Sequence, residues 1–213
     1  EDGRAMSGAV NREWTRAAYD AIVLAGGRGS RRGGLDKGSV RVAGRTLLDQ
    51  ALEAAAAADR VVVVGYGPVP EGVLLVREEP AFGGPAAALV AGLGALPRPS
   101  RAPFVLVLAC DLPHSVEGVP LLEAAVGGDQ DDEGRGESAA VDGWCLAGPD
   151  GRAQWLLGLY RAAALERAAE HLGTATDRSL GLMLGGLRLG VIPAPERVTA
   201  DIDTPDDLQR WTR

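Results

Sequence analysis

A short apolar segment, Asp20 to Leu24, runs directly into Leu24-Ala25-Gly26-Gly27-Arg28-Gly29-Ser30-Arg31-Arg32-Gly33-Gly34-Leu35-Asp36-Lys37, a loop dense in glycine and cationic side chains. A strand that feeds such a loop commits the chain to a fold whose strand ends meet something anionic. Glycines lack Cβ and reach positive φ, so consecutive amide N–H groups can wrap around phosphate oxygens while Arg31 and Lys37 supply charge. A flexible surface turn is the competing reading, and the strand before the glycines and the cation after them weigh against it. Two common phosphate motifs are excluded. Gly-x-x-x-x-Gly-Lys-Ser/Thr fails because Asp36 precedes Lys37, and Gly-x-Gly-x-x-Gly fails because the glycines are Gly26, Gly27, Gly29 and then Gly33.

Charge is divided unevenly along the chain. The net charge is −7, which disfavours a nucleic-acid partner, yet Arg28 to Arg45 holds six basic residues and one acid, Asp36. An acidic body with one basic loop points to a small anionic ligand. No run of about 18 apolar residues is present, so no membrane span is expected, and the first residues lack a basic-then-apolar signal pattern. Cys110 and Cys145 have neither metal-ligand spacing nor a disulfide framework, as expected of reduced thiols in a cytoplasmic protein.

The 213 residues suit one domain, read as 19–213 behind a loosely ordered extension at 1–18. Apolar runs at Ala21 to Leu24, Arg60 to Val64, Val73 to Val76, Phe104 to Ala109 and Leu187 to Ile192 predict strands buried on both faces. Ala- and Leu-rich stretches at Thr46 to Ala58, Gly84 to Leu96, Val119 to Val126 and Arg161 to His171 predict helices. Their alternation predicts an α/β fold with a largely parallel sheet covered on both sides. Gly127 to Ser138, with five acids, four glycines and no apolar period, is read as a mobile, solvated loop.

Candidate chemistry clusters at the ends of these elements. Phe104 to Ala109 stops at Cys110-Asp111-Leu112-Pro113, which puts the Asp111 carboxylate at the carboxyl end of a buried strand, where open α/β sheets gather ligands. Asp111 is therefore a candidate Mg²⁺ ligand, since this ion takes one or two carboxylates plus phosphates and water. A local capping role is the alternative. Thr204, Pro205, Asp206 and Asp207 read as the start of a helix, while Asp201 and Asp203 lie just before it, where they could return a carboxylate to the metal. His114 and His171 are isolated and read as structural or solvated.

The pattern Leu-Ala-Gly-Gly-x-x-x-Arg-x-Gly-Gly-x-Asp-Lys resembles the signature loop of molybdenum cofactor guanylyltransferases, a MobA-like family within the Rossmann-like nucleotidyltransferases. The resemblance implies a three-layer α/β/α fold and an enzyme that moves GMP from GTP onto a molybdopterin-type phosphate with release of pyrophosphate. It implies Leu24, Ala25, Gly26, Gly27 and Lys37 around the nucleotide, Arg31 and Lys37 on its phosphates, and Mg²⁺ on Asp111, whose Cys-Asp-x-Pro setting matches the family's metal aspartate. Asp201-Ile202-Asp203-Thr204-Pro205 is similar to the family's Asp/Asn-x-Asp/Asn-Thr-Pro, which places Asp203 beside the metal.

Glu78-Glu79-Pro80-Ala81-Phe82-Gly83-Gly84-Pro85 is similar to an acid followed by Gly-Gly-Pro, whose acid contacts the nucleotide; Glu79 takes that place, or Glu78 if the loop is shifted by one residue. Three departures stand out: Arg32 where relatives carry Met, aspartates where guanylyltransferases more often show Asn, and Gln154-Trp155 where relatives have His-Pro before the strand-like Leu156 to Tyr160. A monomer is expected, with room for a protein that delivers the acceptor. Cytidylyl or other small-phosphate transfer on the same fold, or a nucleotide-binding paralogue without chemistry, are the alternatives.

Overall fold

The structure, a computed structural model, describes residues 17–26, 37–97, 102–130, 141–202, 204 and 206–207, with backbone alone at 37, 129 and 130. The expectations for 1–16, Gly27, Arg31, Arg32 and Asp203 lie outside these residues. In chain order the elements are β1 (Tyr19–Leu24), a 3-10 turn (Lys37–Ser39), β2 (Arg41–Val42), β3 (Arg45–Thr46), α1 (Leu47–Ala54), β4 (Val61–Val64) and β5 (Leu74–Val76). They continue with α2 (Pro85–Ala95), β6 (Phe104–Ala109), α3 (Ser115–Gln130), β7 (Gly143–Ala147), β8 (Ala153–Arg161), α4 (Ala162–Leu172), α5 (Leu180–Leu184), β9 (Leu189–Pro193) and α6 (Glu196–Thr199).

Seven strands form one sheet in the order β5-β4-β1-β6-β8-β7-β9, and β2 with β3 make a separate two-stranded ribbon. Strands β5, β4, β1 and β6 are mutually parallel; β8 runs against both β6 and β7, and β7 pairs parallel with β9. The expected mostly parallel sheet is thus present, with β8 as the one reversed strand. Every residue of β1 and β6 is buried. Alternate side chains sort to opposite faces: Tyr19, Ala21 and Val23 pack with α1 and α3, whereas Ile22 and Leu24 pack with α2, α4 and α5. A strand covered twice has no solvent-facing side, which is why Ala21 to Leu24 and β6 read as apolar runs; Asp20 is buried in β1 as well, its carboxylate 3.5 Å from the Arg60 guanidinium.

Local chemistry sets the helix starts. Thr46 caps α1 by a reciprocal pair: its hydroxyl accepts from the Asp49 amide at 3.0 Å, and the Asp49 carboxylate accepts from the Thr46 amide at 3.2 Å. Pro85 opens α2 at a position where its missing N–H costs no helical bond.

Three features depart from the sequence expectation. Strand β7 was not anticipated, and of β8 only Leu156 to Tyr160 was read as strand-like. Glycine makes room within this pair: Tyr160 is fully buried, and a Cβ on Gly158 would sit 2.6 Å from its hydroxyl oxygen. Helix α3 begins at Ser115 and continues through Gly127 and Gly128 to Gln130, so the acidic segment opens as helix; 131–140 lie outside the described residues. The short α5, capped by Ser179 accepting from the Leu182 amide at 3.2 Å, was also unread. Among the described residues no helix is long and apolar enough to cross a membrane.

Candidate functional site

Strand register, more than any single loop, builds the site. Leu24 lies opposite Val64 on one side and Ala109 on the other, and Val64 lies opposite Val76, so four parallel strands end on one line. Whatever follows each strand therefore converges on one rim: Ala25-Gly26 after β1, Gly65-Tyr66 after β4, Arg77-Glu78 after β5 and Cys110-Asp111 after β6. The chain leaves β1 toward β4 but later returns through α2 to β6 on β1's other side. That reversal opens a crevice at the carboxyl ends of β1 and β6, the usual ligand position in such sheets.

Backbone bonds lock the rim. The Cys110 amide donates to Leu24 O at 3.0 Å, the Ala25 amide to Val64 O at 2.9 Å and the Gly65 amide to Val76 O at 3.0 Å. Gly65 has to be glycine, because a Cβ there would lie 2.8 Å from the Ala25 carbonyl carbon and 3.0 Å from the Gly26 nitrogen. Ala25 and Gly26 can follow β1 on this path only because nothing projects from the neighbouring strand end.

A cavity of about 540 Å³ fills the crevice, lined among others by Leu24, Gly26, Glu78, Phe82, Asp111, Leu156 and the run Asp177-Arg178-Ser179. Gly84, Pro85 and Ala88, at the amino end of α2, also border it, which presents a positive helix terminus to an anion. Of the residues singled out from sequence, Leu24, Gly26 and Asp111 meet here. Ala25 is buried outside the lining, its amide already donating to Val64. Glu79 is exposed and outside the lining; Glu78 is 7 % exposed and in it. The Phe82 amide donates to Glu78 Oε1 at 3.1 Å, which turns this acid inward.

Lys37 opens the 3-10 turn ahead of the β2–β3 ribbon. The C-terminal segment reaches the rim too, since the Ile202 amide donates to Asp111 O at 3.0 Å. Beyond it Thr204 and Asp207 form the anticipated cap, the Asp207 amide donating to Thr204 Oγ1 at 3.2 Å and the Thr204 amide to Asp207 Oδ2 at 2.9 Å. Phe82, Asp177, Arg178 and Ser179 had no sequence signal as site residues. They arrive by a long-range tie, the Asp177 amide donating to Gly83 O at 2.6 Å.

Among the described residues no three His, Cys, Asp or Glu side chains gather as a ready-made metal cage. Asp111 at the strand end suits an ion such as Mg²⁺, which keeps water and substrate phosphates in its shell and asks the protein for one or two carboxylates. Cys110 borders the cavity and Cys145 lies outside its lining. Both are buried, and burial pushes the Cys145 thiol up to about 11.

Comparison with known proteins agrees with this geometry. Residues 21–185 match the model of the MobA-like NTP transferase domain. The chain is 28% identical over 194 residues to the molybdenum cofactor guanylyltransferase of Pseudomonas fluorescens, covering 88% of this chain and 90% of that protein. Among solved structures it resembles the molybdopterin-guanine dinucleotide biosynthesis protein A of Archaeoglobus fulgidus, with TM-score 0.60, 24% identity and coverage of 91% and 96% of the two chains. It also resembles the 2-C-methyl-D-erythritol 4-phosphate cytidylyltransferase of Francisella tularensis, with TM-score 0.66, 17% identity and coverage of 92% and 100%. With a family match over most of its length, the chain belongs to the MobA-like NTP transferase family and is a nucleotidyltransferase.

Proposed function

We propose that this enzyme is a molybdenum cofactor guanylyltransferase, joining GMP from GTP to the phosphate of a molybdopterin-type acceptor. The observation that carries the reading is the composition of one cavity wall: Gly26, the Asp111 carboxylate, the amino end of α2 and the buried Glu78 carboxylate. The homologue from Pseudomonas fluorescens, whose name gives this activity, supports the choice of acceptor.

An acceptor phosphate oxygen attacks the α-phosphorus of GTP, a new phosphoanhydride bond forms, and the bond to the β-phosphate breaks to release pyrophosphate. No protein nucleophile is required, so catalysis rests on positioning and on offsetting charge. Gly26 and Gly27 let the backbone approach the phosphates, Arg31 holds the leaving pyrophosphate, and Lys37 offsets charge near the α-phosphate. Asp111 and Asp203 would hold Mg²⁺, whose contribution is to neutralise the triphosphate. Glu78, acceptor-only when ionised, suits guanine, which offers N1–H and N2–H₂ donors side by side. Cytosine offers one amino donor beside acceptors. Arg178, exposed in the cavity wall, suits the acceptor's own phosphate.

The test is transfer itself. Purified enzyme with molybdopterin, Mg²⁺ and GTP is expected to yield the guanine dinucleotide and stoichiometric pyrophosphate. Dinucleotide from CTP, with none from GTP, would reverse the assignment in favour of cytidylyl transfer.

A further inference from the structure

Phe82 is a bulky aromatic at φ +61° and 45% exposed. Positive φ is uncommon for a side chain of this size, and exposure forgoes the burial that would offset it, so the arrangement calls for a role other than core packing. The backbone around it is over-determined. The Phe82 amide donates to Glu78 at 3.1 Å, the Gly83 amide to Pro80 O at 3.1 Å, and the Asp177 amide to Gly83 O at 2.6 Å.

The ring is also supported from behind. It stacks on Tyr66 with centroids 5.9 Å apart and planes 20° apart, and the Arg77 guanidinium lies 4.4 Å from the centroid of the Tyr66 ring. Tyr66 follows β4 and Arg77 follows β5, so the pile stands on the aligned rim of the sheet. Phe82 lines the same cavity as Gly26 and Asp111.

We infer that Phe82 is the stacking platform for the nucleobase of the bound nucleoside triphosphate, with Tyr66 and Arg77 as its backing. The inference rests on the reading of this cavity as the nucleotide site, but not on which base is chosen. Every base has a π face, and an aromatic offered at the cavity wall in a fixed pose gains that contact without ordering a side chain on binding. Glu78 ties the platform to the base edge: the carboxylate that holds the Phe82 amide also faces the cavity. Stacking and edge recognition are thus set by one short turn.

The test compares affinities of the parent, Phe82→Ala and Phe82→Tyr for the four nucleoside triphosphates and for inorganic tripolyphosphate, all with Mg²⁺. Loss of one base–aromatic stack corresponds to roughly a 5- to 150-fold weakening. Phe82→Ala is expected to weaken the preferred nucleotide within that range and leave tripolyphosphate unchanged, while Phe82→Tyr retains parental affinity. With 2-aminopurine riboside triphosphate at saturating protein, emission is expected to be quenched in the parent and to recover in Phe82→Ala. Equal weakening of nucleotide and tripolyphosphate, or no weakening of either, overturns the platform. A parent that prefers CTP overturns the guanylyl reading alone, and a parent that binds none of the four overturns the nucleotide site and the platform together.

Discussion

The Ile202 amide donates to the carbonyl oxygen of Asp111 at 3.0 Å, joining the C-terminal segment to the strand end that carries the proposed metal carboxylate. Ile202 is itself buried with Val42 and Leu47, so the ribbon after the glycine-rich loop, α1 and the Asp111 rim share one small apolar contact.

Ile202→Ala is expected to lower stability by about 2 kcal/mol, the usual low end for truncating a buried isoleucine. It is also expected to raise the Mg²⁺ concentration needed for half-maximal activity. Urea unfolding and a Mg²⁺ titration of turnover check the two halves, and an unchanged Mg²⁺ requirement would separate this segment from the metal.

Gly65→Ala places a methyl group against the backbone of Ala25 and Gly26. Overpacking of this kind costs about 1–3 kcal/mol. Because the displaced backbone leads into the proposed phosphate loop, nucleotide affinity is expected to fall by about tenfold, or about 1.4 kcal/mol, measured by calorimetry on protein shown to be folded. Parental affinity in a destabilised variant would mean that the loop path tolerates the shift.

Part of the cavity lining was legible in the sequence, and the part that was not has a physical reason. Leu24, Gly26 and Asp111 were visible because each directly ends a buried strand or follows its end, and strand ends are local information. The choice between Glu78 and Glu79 was not local: it depends on the turn that brings the Phe82 amide onto one carboxylate and leaves the other exposed. Asp177, Arg178 and Ser179 join through a bond to Gly83 far away in the chain. Within the fold, Ala21 to Leu24, β4 and β6 announced themselves by apolar runs, whereas β7 and the first residues of β8 carried no such run, and Gly143 and Gly158 leave the room that Tyr160 fills.

The buried cysteine gives an alkaline signature. Folding raises the Cys145 pKa from 9.0 to about 11, so the native state keeps a proton that the unfolded chain releases. Stability from this group is fully present below pH 9 and falls as pH rises toward 11, by about 2–3 kcal/mol in all. Tyr160, whose buried hydroxyl donates to Trp155 O at 2.7 Å, is shifted in the same direction and adds to the loss. Urea midpoints at pH 7.5 and pH 10.5 test this, and equal midpoints would place the thiol in a wetter setting. Alkylation of native protein at pH 8 is expected to leave both cysteines unmodified.

Asp111→Asn keeps the shape of the proposed metal ligand and removes its charge. Turnover is expected to fall by about a hundredfold or more, as when one preorganised charge-stabilising group is lost, with the melting temperature within a few degrees of the parent. Lys37→Ala is expected to lower kcat more than it weakens GTP binding. An active Asp111→Asn protein would remove this carboxylate from the mechanism.

Calorimetric titration of the parent with GTP, CTP, ATP and UTP, each with and without Mg²⁺, reads base choice and metal dependence of the proposed site at once. GTP is expected to bind at least about tenfold more tightly than the other three, and to lose most of that affinity when Mg²⁺ is withheld. Tighter binding of CTP would contradict the choice of guanine, and GTP binding that is indifferent to Mg²⁺ would contradict the metal dependence.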